Sequence, residues 1–180
     1  MRRLYPATLL VSAGAIGYQL LLMRMLSIVQ WHHFAYMIIS IALLGYGASG
    51  TFIALFESRL ESRFEAAFAT SALLFSITMV SCFALGQHVP FNALEVVWDS
   101  RQFLNLSLIY LVFFVPFFFA ASCIGLAFTC RRKDISRIYF FDLFGAGLGA
   151  ILVIGALFAF IPQDALLVLM TLPLIASVIM

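Results

Sequence analysis

Apolar residues run in six long blocks along this chain, roughly 6–29, 34–56, 66–87, 103–129, 138–161 and 164–180, and polar residues are confined to the gaps between them. A helix needs about 20 apolar residues to cross a bilayer core about 30 Å thick, and each block is close to that length, the last only just. The pattern predicts an all-α fold: a polytopic membrane helix bundle of about six transmembrane helices, forming one domain over 1–180. Short connections should leave successive helices antiparallel. Composition agrees, with 64% hydrophobic residues, 20 Phe, a mean hydropathy of +1.12 and only 10% charged residues. A soluble domain carries about 25% charged residues, and a soluble core of this size has no use for so much apolar surface.

The few charges sort by side. Arg2, Arg3, Arg59, Arg63, Arg131, Arg132, Lys133 and Arg137, eight of the ten basic residues, fall on the side of the N-terminus. Arg101 falls on the other side, and Arg24 lies within the first block. Short loops rich in Lys and Arg stay in the cytoplasm, so the expected topology is N-in, C-in. The expected setting is a bacterial inner membrane, with the lipid bilayer as first partner and other membrane subunits beyond it. No basic face with interleaved aromatics is present, so nucleic acid is not an expected partner. The first block exceeds the 7–15 residues of a signal-peptide core and reads as a retained span.

Between the blocks, Gln30 to His33 lies outside. Glu57 to Glu65 alternates acids with Arg59 and Arg63 and reads as a short solvated helical turn. The longest loop, His88 to Gln102, is external, with Trp98 and Trp31 expected at headgroup depth. Pro116 should kink the fourth span. The chain stops at Met180 in apolar sequence, which suggests the membrane portion of a longer polypeptide.

Gly45-Tyr46-Gly47-Ala48-Ser49-Gly50 spells the dinucleotide fingerprint, but that motif needs a preceding strand and a helix opening after it. Inside a membrane helix, Gly45, Gly47 and Gly50 are better explained as a smooth surface for helix packing. Gly14 and Gly17 in the first span, and Gly145, Gly147 and Gly149 in the fifth, fit the same explanation, 145 and 149 forming a GxxxG pair. The first, second and fifth helices are therefore expected to pack together at the centre.

Arg24 lies about 27 Å along its helix, in the outer leaflet. It is either a structural anchor that snorkels to the interface or a contact for Glu95, Asp99, an anionic ligand or a lipid head. Asp142, the only carboxylate deep in a span, lies about 6 Å past the start of the fifth, near the opposite face. It should accept from hydroxyls or backbone groups on packed helices, or pair with Arg137, and should not meet Arg24. His32, His33 and His88 share the external side with Glu95 and Asp99. A metal or quinone head is one reading of that set, but adjacent histidines point about 100° apart and ligand-free interfacial histidines explain it more simply. Cys82, Cys123 and Cys130 are isolated and suit helix interfaces. No cofactor or metal is expected, and nothing pairs a nucleophile with a base.

The chain nevertheless resembles a known family. Gly17-Tyr18-Gln19 through Arg24-Met25-Leu26 looks like the Y-[QE]-x(4)-R-x-L segment that opens the membrane region of bacterial spermidine synthase-like proteins. Leu43-Leu44-Gly45 through Gly50 is similar to that family's second helix. Pro116 through Ala127, followed by Ile138-Tyr139-Phe140-Phe141-Asp142-Leu143 through Gly149, is like its LYxxDLxGAxLGA run. The resemblance adds Gln19 to the candidate ligand or partner contacts, beside Arg24, His32, His33, His88 and Asp142. In that family the bundle precedes a soluble aminopropyltransferase-type domain, which these residues do not include. The resemblance therefore implies a non-catalytic membrane module, either the anchor of a longer protein or an accessory subunit of a membrane complex. The alternative is a small transporter or half-transporter for a polyamine or another small solute.

Overall fold

The computed structural model describes residues 3–29, 33–92, 95 and 98–180. They form six long helices: α1 (Leu4–Val29), α2 (His33–Ser62), α3 (Phe64–Gln87), α4 (Arg101–Cys130), α5 (Ile135–Ala159) and α6 (Pro162–Ile179). All six are long and apolar enough to cross a membrane. The protein is an all-α, multi-pass membrane bundle. In a bilayer core only helices and closed barrels satisfy every backbone group, and unbroken apolar blocks of about 20 residues suit helices.

Every helix starts before its apolar block, and two of the ends at the basic side take in charged sequence. α2 continues past Phe56, where its backbone leaves helical geometry (φ −114°, ψ 17°), and takes in the charged segment to Ser62. α5 starts at Ile135, directly after a 3₁₀ turn over Arg132–Asp134. Hydropathy marks the apolar slab, whereas a helix can run on into water. Pro116 is buried within α4, which runs unbroken from Arg101 to Cys130. A break in helical dihedrals falls at Phe56 of α2.

The basic segments meet at one end. Arg132 donates to Glu57 at 2.9 Å, joining the α4–α5 turn to α2, and the Arg131 guanidinium lies 4.9 Å from the ring centre of Phe64 on α3. Tyr5 of α1 stacks on Phe141 of α5 at 5.3 Å nearby. At the other end the long loop closes on itself. Asn92 and Gln102 both donate to Glu95, and Asp99 accepts from the backbone N–H of Arg101 at 2.9 Å.

Packing does not follow chain order. α1 contacts α5, α6, α2 and α4; α4 also contacts α2 and α3; and α3 contacts α6. The consecutive pairs α2–α3, α4–α5 and α5–α6 barely touch. In lipid an uncovered apolar face carries little penalty, so a short connection does not force two helices together. Two hydroxyls pin α3 to α6: Ser76 donates to the Met170 carbonyl and Ser177 to the Ala69 carbonyl, each at 2.8 Å. Gly14 leaves room for Pro173, and Gly17 for Leu169.

The glycines correct the expected centre. A Cβ at Gly145 would sit 2.9 Å from the Leu9 Cα, and one at Gly149 only 2.7 Å from the Ala13 Cα. The two helices therefore touch backbone to backbone and run in the same direction. Gly45 packs against the Phe117–Phe118 backbone of α4 and not against α5. A Cβ at Gly47, Gly50 or Gly147 would meet nothing within 4 Å, so among the described residues these three line no helix contact. The expectation that α1, α2 and α5 share one glycine-lined centre is thus corrected: both α2 and α5 touch α1, but the α5 glycines pack on α1 and Gly45 of α2 packs on α4.

Gly149→Ile should lower stability by at least the roughly 1–3 kcal/mol of an overpacked core, because backbone cannot yield as a side chain does. Gly147→Ile should leave it within about 0.5 kcal/mol. Equilibrium unfolding in mixed detergent measures both; equal losses would contradict the packing described.

Candidate functional site

Polar groups within the spans gather where α5 crosses α1. Ser12, buried on α1, donates to the Asp142 carboxylate of α5. Thr8 lies one turn earlier on the same face of α1, fully buried, and its hydroxyl has no hydrogen-bond partner among the described residues. Thr8 and Ser12 of α1 and Asp142 of α5 thus form one polar seam between two helices. The glycines one and two turns beyond Asp142 bring the α5 backbone against α1 and set this contact. A carboxylate that accepts from a packed-helix hydroxyl is what its depth in the span demanded.

Arg24 takes no part. It is exposed, and among the described residues its guanidinium meets no acid. Ser12 precedes it by twelve residues, which places Arg24 about 18 Å further along α1 than the Asp142 contact. Glu95 and Asp99, its candidate partners, are engaged within their own loop. Gln19 is half-buried one residue after Tyr18, which is fully buried between Phe75 and Phe117 and whose hydroxyl also lacks a partner among the described residues. His88 is exposed, and its ring Nδ1 donates to the Ala84 carbonyl at 2.7 Å. His32 lies outside the described residues, as does the side chain of His33, and with them the three-histidine set. Among the described residues no three His, Cys, Asp or Glu side chains come together as a metal site. Cys82 and Cys123 are buried, and Cys123 lies 3.7 Å from the Phe68 carbonyl at the α3–α4 contact.

Sequence reasoning found Asp142 and missed Ser12, the hydroxyl that donates to it. Thr8 and Ser12 are four residues apart, so they share a helix face. That spacing was the available signal, but small hydroxyls are common on membrane helices and do not announce a partner. No protein-family model, curated protein or solved structure matches this chain.

Interhelical hydrogen bonds in membrane proteins contribute on average about 0.6 kcal/mol and at most about 1.7. Ser12→Ala should therefore destabilise the fold by about that much, and Asp142→Asn by less, since an amide oxygen still accepts. A double-mutant cycle on Ser12→Ala and Asp142→Ala measures the pair, and a coupling of zero would remove the bond from the account.

Proposed function

We propose that this chain is a non-catalytic membrane module, built like the membrane region of spermidine synthase-like proteins, that holds a larger protein or complex in the bilayer. Bacterial inner membrane is the setting that fits its charge pattern. The observation that carries the proposal is the exposure of α5. This helix is fixed to the bundle almost solely through α1, and it turns Phe140, Leu143, Phe144 and Ile151 outward. Gly147 interrupts that face and leaves an apolar notch of about 340 Å³ beside the stacked rings of Phe140 and Phe144. Between lipid-facing helices, association rests on close packing, and a notch beside a glycine gives a partner side chain contacts that a disordered acyl chain does not hold.

Purification from native membranes in mild detergent tests this. The expected result is a stoichiometric assembly, or a longer polypeptide by mass, and Gly147→Phe should release the assembly without unfolding the chain. A lone 20.0 kDa monomer that binds nothing would overturn the accessory-subunit form. Transfer of an aminopropyl group by these 180 residues would overturn the proposal as a whole.

The polar seam at Asp142 favours a second reading, a small transporter whose cationic solute is met by that carboxylate. Polyamine uptake into proteoliposomes that disappears in Asp142→Asn would favour it; no uptake by the unaltered chain would dismiss it.

A further inference from the structure

A second feature lies at the basic end, apart from the α1–α5 seam. Between α2 and α3, which barely touch, a cavity of about 790 Å³ is floored by Phe118, Phe119 and Ser122 of α4. Its walls are Phe52 and Phe56 of α2 and Ala66, Ala67, Thr70 and Ser71 of α3. Arg59 and Arg63 line its rim. Ser71 lies seven residues into α3, so the cavity runs about 10 Å from the cationic rim into the apolar slab.

The charges around the rim are sorted. Glu57, two residues from Arg59, is drawn to Arg132 on the other side of α2. None of Glu57, Glu61 and Glu65 lines the cavity, whereas both arginines do. Among the described residues neither arginine forms an ion pair. Two unpaired guanidiniums thus stand over an apolar, aromatic-walled groove that opens between two helices toward the bilayer.

That combination selects for an amphiphile. A free anion would satisfy the rim and leave the apolar depth unfilled, and an uncharged lipid would fill the depth and leave the rim unpaired. Guanidinium groups bind phosphate with paired, directional N–H donors. Basic pockets between membrane helices at this level suit anionic lipid heads. The volume falls within the roughly 300–1,000 Å³ of ordinary ligand sites. We infer that the α2–α3 groove is a specific site for one anionic phospholipid, its phosphate held by Arg59 and Arg63 and an acyl chain lying against Phe52, Phe56, Phe118 and Phe119.

The test adds phosphatidylglycerol or phosphatidylcholine of identical acyl chains to the delipidated full chain in detergent, and reads the bound fraction by native mass spectrometry. A basic residue near a membrane surface is worth roughly fivefold in anionic-lipid affinity. The chain should therefore favour phosphatidylglycerol, and Arg59→Gln with Arg63→Gln should reduce that preference roughly 25-fold. Lys133→Gln with Arg137→Gln removes the same charge from the same end away from the groove, and should reduce it by less than threefold. Ser71→Phe, which fills the groove and leaves the arginines in place, should also displace the lipid. Equal binding of the two lipids, retention of the preference without Arg59 and Arg63, or an equal loss in the Lys133/Arg137 variant would overturn the inference. So would competition by soluble glycerol phosphate at lipid-like concentrations, which would reveal a bare anion site.

Discussion

Everything in this bundle that is specific depends on how closely two backbones can approach in a solvent that does not push them together. Lipid tails are as apolar as leucine, so burying one apolar face against another gains little, and packing and hydrogen bonds decide which helices meet. At Gly145 and Gly149 the absence of two side chains lets α5 rest on the Leu9–Ala13 backbone of α1. That contact places Asp142 against Ser12. It also leaves α5 with little other support, and so with a free outer face. The polar seam and the proposed docking face are two consequences of one close approach.

The same constraint explains the open α2–α3 groove. In water, two consecutive apolar helices would close on each other to exclude solvent. In a bilayer they can remain apart, each held to α4, with the space between them available to a lipid. The bend at Phe56 and the aromatic walls belong to that arrangement, and the cationic rim lies where the slab meets water. The structure thus offers two unlike surfaces, an apolar face on α5 and an amphiphilic groove at the basic end.

The spans were legible because hydrocarbon thickness imposes a length that no soluble fold requires. Helix partners were less so. Gly145 and Gly149 announced a close approach, but a one-helix motif does not say which helix comes near. The glycines of α2 show the limit most clearly. At about 100° per residue, Gly47 lies some 200° and Gly50 some 140° around the helix from Gly45, so a single neighbour cannot touch all three. Gly45 alone meets α4. The alternation of Glu57, Arg59, Glu61, Arg63 and Glu65 was legible as a solvated face, and Arg59, Glu61, Arg63 and Glu65 are exposed. What the letters do not show is that both arginines line the groove while Glu57 turns to Arg132. Asp142 was legible from its depth, while its hydroxyl partner came from a helix 130 residues away in sequence.

The parallel pairing of α1 and α5 is most directly tested by cross-linking. In a chain whose Cys82, Cys123 and Cys130 are replaced by alanine, cysteines at Tyr5 and Phe141 would stand where the two rings now stack. Mild oxidation in membranes should join them rapidly, and a pair at Tyr5 and Phe158, at opposite ends of the two helices, should stay reduced. Rapid joining of Tyr5→Cys to Phe158→Cys, or none between positions 5 and 141, would contradict the pairing on which the seam and the free face of α5 both rest.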